Sequence, residues 1–373
     1  MTAPRRVPFF NYPYLYESDA EGLVATLTDV MTRGAYIMQK DLEEFESDLA
    51  EFLEVKHAFG VADGTNAITL SLVAAGVAPG DEVLMPSHTF VATAGAAHMA
   101  GAQPVLVDCG RDHLIDITAA DELVSERTRA IMPVHVNGRT CDMEAVRAFA
   151  ERHGLIIVED AAQALGSTFD GRGAGTFGSA GTFSFYPAKV LGCFGDGGGI
   201  VTNDDSVAEQ LYELRDHGRG RDGEIKRWGF NSRLDNMQAA VLSHKLKSFP
   251  QDIRRRREIA ALYRDLLGDL DQVQLPPAPD ADPRHFDVYQ NYELEADERD
   301  ALRVHLSQRG VGTLIQWNGE PLHRIKALGL GPAPAYTEAM FDRCLMLPCN
   351  TSLTDEDVTY VAAAVRSFYA ERD

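Results

Sequence analysis

The sequence predicts an α/β fold, a mostly parallel central sheet followed by a smaller C-terminal α+β domain, and three observations carry that expectation. First, short apolar runs alternate with helical patterns through two-thirds of the chain: HAFGVA, TNAITLSLVAAGV, EVLMP, FVATAGAAHMAG, AQPVLVD, RAIMPVHV, MEAVRAFAERHG and LIIVED. Strand, helix and strand repeated at this pace build a parallel sheet covered by helices on both faces. Second, the strands are apolar throughout rather than alternating, as strands buried on both faces are. Third, the Pro-rich LPPAPDADP marks a composition shift late in the chain.

Taken in order, the first helices are expected near residues 20–31 and 41–53 and are expected to pack on the small domain. The alternating units above follow. From about Phe183 the pattern turns to short strands around Gly-rich turns, FSFYPAK and GDGGGIVTND, before helices at about 207–216 and 234–247. Beyond the basic cluster Arg254 to Arg257, a strand in YQNYELEAD and a helix at about 298–308 are expected. Thr354, with Asp357 three residues on, opens the last helix as a capping box. The boundary falls at residue 250, giving a large domain over 1–250 and a small one over 251–373. A length of 373 residues suits two to three domains at roughly 150 residues each.

Acidic residues outnumber Lys plus Arg by 56 to 35, a formal charge of -21 with a pI of about 4.9. That field repels phosphate backbones and anionic lipid surfaces, which argues against nucleic-acid and membrane partners. No apolar run approaches the roughly 20 residues that span a bilayer. The N-terminal MTAPRRVPFFNYPYLY is broken by prolines and does not read as a signal peptide, so a cytoplasmic location is expected. Cys109, Cys141, Cys193, Cys344 and Cys349 are odd in number and form no CxxC, which argues against a disulfide framework and against a zinc knuckle. Buried, reduced thiols and no metal are expected.

Only seven of the 35 basic residues are Lys, so Lys189, inside an apolar and Gly-rich stretch, stands out. Aromatic and small neighbours desolvate an amine there and suit it to Schiff-base chemistry, though a lone loop lysine also snorkels to solvent. Twenty-nine residues earlier, Asp160 ends a buried strand, where parallel sheets expose their ligand-binding ends; an Asp there also caps turns. Gly64 and Thr65 open an apolar helix straight after a strand, as a phosphate site or as an ordinary N-cap. Phe90 follows another strand, either to stack on a planar ring or to fill a core.

In this order and spacing, EDAAQALGS, FSFYPAK with GDGGGIVTND, and GFNSRLDNMQAAVL resemble the pyridoxal-phosphate sugar aminotransferases of the DegT/DnrJ/StrS group, over nearly the whole chain. The resemblance implies the type I aminotransferase fold. It implies that Lys189 forms the internal aldimine with pyridoxal 5'-phosphate and that Asp160 pairs with the protonated pyridine nitrogen. Gln163 would lie on the ring's hydroxyl side, Phe90 would stack on its face, and Gly64, Thr65 and Ser184 would bind the phosphate. Asn231 would reach the same phosphate from a neighbouring subunit, which implies a homodimer with shared sites. Members often carry FHPxK where this chain has Tyr186 in the His position, which leaves residue 186 without an implied role. His323 and Trp317, in IQWNGEPLH, resemble a segment that approaches the sugar nucleotide.

The function so implied is transfer of an amino group from glutamate, through the pyridoxamine form of the cofactor, to a nucleotide-linked keto-deoxysugar. The favoured substrate is dTDP-4-keto-6-deoxyglucose, giving a 4-amino-4,6-dideoxy sugar, with a C3 keto sugar as the alternative. Related dehydratases carry a His in place of the lysine, which Lys189 argues against. A non-catalytic sensor would lack part of the constellation or add a DNA-binding module, and neither holds here.

Overall fold

The computed structural model describes residues 5–371. Its centre is a seven-stranded sheet of β1 (His57–Val61), β2 (Glu82–Pro86), β3 (Gln103–Val107), β4 (Thr128–Ile131), β5 (Ile156–Asp160), β6 (Ala180–Ser184) and β7 (Gly198–Thr202). The spatial order is β1-β7-β6-β5-β4-β2-β3. Only β7 runs against its neighbours. The parallel strands therefore end on one edge of the sheet, and the loops leaving β1, β2, β4, β5 and β6 all emerge there. Helices Gly64–Ala74, Val91–Met99 and Met143–His153 supply the connections. The sheet is buried as expected: β2 and β7 are covered along their whole length.

The late part of the chain forms a three-stranded antiparallel sheet of β8 (Val273–Gln274), β9 (Tyr292–Ala296) and β10 (Cys344–Leu347). Helices Phe249–Leu267, Arg299–Gln308 and Asp355–Ala370 enclose one apolar cluster with it, centred on Tyr263, Leu294, Leu345 and Phe368. Thr354 and Asp357 form the reciprocal capping box read from the sequence.

One expectation is corrected. Helices Ala20–Arg33 and Lys40–Leu53 make their main contacts with helix Asn236–Leu246, the second of them also with β1, rather than with the C-terminal sheet; Phe52 meets Phe249, the first residue of helix Phe249–Leu267. The reason is the apolar stripe Leu42, Phe45, Leu49 and Leu53, which joins the core of Phe183, Phe185, Leu234 and Phe249. What docks on the C-terminal core instead is Val7, whose backbone pairs with Gly310 and Gly312. All five cysteines are buried free thiols.

Candidate active site

Sheet topology orders the candidate residues along the edge where the parallel strands end. Gly64 follows β1 and Ser184 ends β6, at one flank; Asp160 ends β5 at the centre; Phe90 follows β2 at the other flank. A Cβ built on Gly64 would lie 2.9 Å from the Ser184 Cβ, so the start of helix Gly64–Ala74 and the end of β6 touch only because residue 64 has no side chain. Asp63 caps that helix by accepting from Asn66 N at 2.8 Å, and the first-turn N–H groups beside the Ser184 hydroxyl form a cradle suited to a phosphate. Phe90, at the N-cap of helix Val91–Met99, is 52% exposed, and among the described residues no aromatic ring pairs with it.

Asp160 is buried, and its carboxylate accepts from Thr93 Oγ1 at 2.8 Å and from Ala162 N at 3.1 Å. Thr93 has one hydroxyl proton and gives it to Asp160, so Thr89, 2.7 Å away, must donate to Thr93 in turn. This chain fixes the carboxylate while leaving it lone pairs for a cationic ring nitrogen.

Lys189 sits in the loop between β6 and β7, its N–H bonded to Tyr186 O at 2.8 Å. The loop 187–192, Lys189 included, lines one side of a cleft of roughly 390 Å³ that Tyr12, Arg256 and Asn350 also line. Burial pushes the Lys189 amine below the usual lysine value, and the negative charge of Asp160 only partly opposes this. An amine so placed is available as a nucleophile and base at lower pH than an exposed lysine.

Gln163 follows Asp160, and its Oε1 accepts from Asn137 N at 2.7 Å and from Asn291 Nδ2 at 3.4 Å. A backbone N–H can only donate, so the amide oxygen faces Asn137 and the Gln163 NH₂ is turned the other way, free to donate. Asn137 holds left-handed backbone, φ 61°, which Asn tolerates better than most residues. Its Nδ2 donates to Glu293 Oε2 at 2.8 Å.

Behind Glu293 lies a buried cluster. His113 donates from Nδ1 to Glu293 at 2.9 Å and from Nε2 to Glu295 at 3.3 Å. Burial alone would lower its pKa, but the two carboxylates outweigh burial and lift it to about 9. His88, His113 and Glu293 come within 4.8 Å of one another. In its protonated form the ring of His113 donates from both nitrogens to the two carboxylates.

Asn231 is exposed, paired through its backbone to Asp216, at the base of an outward loop whose Trp228 is 97% exposed. No hydrogen bond joins it to Gly64, Thr65 or Ser184 within the described residues. The His323 ring is fully occupied, by Ser87 Oγ at 2.7 Å and Glu338 Oε2 at 2.6 Å, with its side chain 1% exposed. Trp317 packs edge-on against His88 at 4.9 Å between ring centroids. The His323 ring therefore has no free nitrogen in this conformation, while Trp317 is partly exposed. Tyr186 is exposed beside Lys189.

Sequence reasoning did not single out Thr93, Asn137, Arg256, Gln290, Asn291 or Glu293. The signal for Thr93 was its place one helical turn after PSHTF; the others come from separate segments that only the fold assembles.

A half-buried lysine whose desolvated amine has a depressed pKa, a fixed carboxylate on the adjoining strand end, a phosphate cradle, an exposed aromatic residue and an amide donor fit pyridoxal phosphate and define a type I, pyridoxal-phosphate-dependent aminotransferase. Comparison with known proteins agrees and is more particular. Residues 17–366 match the DegT/DnrJ/EryC1/StrS aminotransferase family, to which the chain belongs. The dTDP-3-amino-3,4,6-trideoxy-alpha-D-glucose transaminase of Streptomyces venezuelae is 41% identical, over 98% of this chain and 97% of its own. The dTDP-3-amino-3,6-dideoxy-alpha-D-galactopyranose transaminase of Aneurinibacillus thermoaerophilus is 36% identical, over 97% and 99%. The crystal structure of S. venezuelae DesV superposes with a TM-score of 0.93 at 40% identity, covering 98% of this chain and 99% of that one.

Proposed function

We propose that this aminotransferase carries an amino group from glutamate to C3 of a keto-deoxysugar linked to a nucleoside diphosphate. The observation that carries the chemistry is the desolvated Lys189 amine within reach of the charge of Asp160, whose carboxylate Thr93 tethers at the strand end. Both named relatives above act in 3-amino sugar formation, and this favours C3 over the C4 position expected from the sequence.

Bound pyridoxal phosphate supplies an electron sink for the carbon that loses a proton. The residues of the chain do the rest. Asp160 holds a proton at the ring nitrogen, kept in line by Thr93 and Ala162. Gly64, Thr65 and Ser184 would hold the phosphate, Phe90 would cover the ring face and Gln163 would donate to the ring hydroxyl oxygen. Lys189 Nζ accepts a proton from the α-carbon of the amino donor and, in the return half, delivers one to the sugar carbon that receives the amine. Asn231 completes the phosphate site of a partner subunit in a cytoplasmic homodimer, a reading that its exposure and that of the nearby Trp228 support. His323 and Trp317 back the substrate loop through packing.

The test offers purified enzyme the 3-keto and 4-keto dTDP-deoxyhexoses separately, with glutamate, and locates the amine in each product by NMR. The 3-amino product is expected. Turnover of the 4-keto isomer alone overturns the position, and no amination of either with any amino donor overturns the activity.

A further inference from the structure

The loop that carries Lys189 is gripped by a residue from far along the chain. Gln290 accepts from Val190 N through Oε1 at 2.6 Å and donates through Nε2 to Ala188 O at 2.8 Å. One amide thus binds the peptide groups on both sides of the lysine, much as a paired strand would. Gln290 is buried, and its own position is fixed from behind. Arg256 donates from one guanidinium nitrogen to the carbonyls of Tyr289 and Gln290, each at 3.2 Å, and of Cys349 at 2.8 Å. Asn291, the next residue, bonds Gln163 and Asn137, so the same short segment touches both the lysine loop and the residue assigned to the ring hydroxyl.

We propose that Gln290 is a positioning residue for Lys189: its amide clamps the 188–190 backbone so that the amine stays buried and aimed at the reacting carbon. The inference rests on the catalytic role given to Lys189 above. The clamp is specific in geometry as well as chemistry, because the side chain must span the loop and present an acceptor and a donor in the right order. A shorter amide fails on reach, and an apolar side chain of equal length fails on bonding. With the clamp gone, water reaches the amine and its pKa climbs back toward the ordinary lysine value. The charged groups about Lys189 are Asp160, whose charge acts on the amine, and Asp19, His244, Lys245, Asp252 and Arg256, which line the cleft with it; none of them is altered by substitution at 290.

Gln290→Met and Gln290→Asn are prepared, with thermal melts to establish that each folds. In cofactor-free protein, the pH dependence of Lys189 acylation is followed by peptide mass mapping, with Lys40 as an exposed internal control. The half-reaction pH of Lys189 is expected to rise by about one unit in both variants while that of Lys40 stays put. In loaded enzyme, kcat is expected to fall by about 10- to 100-fold with little change in KM for the sugar nucleotide, as misplacement of a reacting group produces. An unchanged Lys189 profile in a folded variant overturns the clamp. If the profile shifts but the unsubstituted enzyme transaminates nothing, the clamp stands and the assigned reaction falls.

Discussion

Substituting His113 by Asn should remove a definite part of the pH dependence of stability. The imidazolium lies between Glu293 and Glu295, with a pKa of about 9 in the folded protein against roughly 6.5 in an unfolded chain. A base whose folded pKa is raised contributes stability that is fully present below the unfolded value and is lost as pH rises through the folded one. The window is therefore about pH 6.5 to 9, and a shift of about 2.5 units corresponds to about 3 kcal/mol. Asn tolerates the left-handed backbone at this position, φ 67°, so the substitution removes charge without adding backbone strain. Urea unfolding of both proteins across pH 6 to 9.5 reads the effect. The wild-type advantage should shrink by about 3 kcal/mol over that range, while the contribution of Lys189, opposite in sign, cancels in the difference. Parallel stability curves would refute the imidazolium assignment.

Three further outcomes are expected. Asp160→Ala should lower kcat by at least about 100-fold while KM for the sugar nucleotide changes little, because the ring nitrogen loses the group that keeps it protonated; steady-state kinetics at saturating cofactor decide. Gly64→Ala places a Cβ 2.9 Å from that of Ser184, so the cradle must open, and cofactor affinity measured by absorbance titration should weaken by about tenfold or more. Mixing Asn231→Asp subunits with Lys189→Ala subunits should restore activity above either parent, since one site of each hybrid dimer then carries neither change. Failure to recover, with Asn231→Asp itself impaired, would count against a shared site.

The residues legible in the sequence are those whose role is written locally. Asp160 and Lys189 each stand out against an apolar run, and Gly64 and Thr65 sit where a strand becomes a helix, so neighbouring residues announce them. Gln290, Asn291 and Glu293 lie in a stretch that reads as an ordinary strand entry. In YELEA the alternation suggests one wet face, yet all five residues of β9 are buried. The polar face is covered by His113 and Tyr336, which neutralise or bond the two glutamates and come from segments remote in sequence. The N-terminal helices went to the wrong neighbour for a related reason: their apolar stripes are visible, but a stripe does not say which core it meets.

The reversed direction of β7 has a consequence for the length of the lysine loop. A parallel successor to β6 would need a crossover to the far end of the sheet, whereas here the chain turns straight back, with Ser184 opposite Gly198 on adjacent ladders. The two ends of the loop are thus moored about 5 Å apart on a rigid edge, and its middle is pinned at residues 188 and 190. Each added residue lengthens the path by up to about 3.5 Å with no free end to absorb it, enough to carry the amine off the reacting carbon. Between 185 and 197 the chain should accept many changes of side chain but few insertions or deletions.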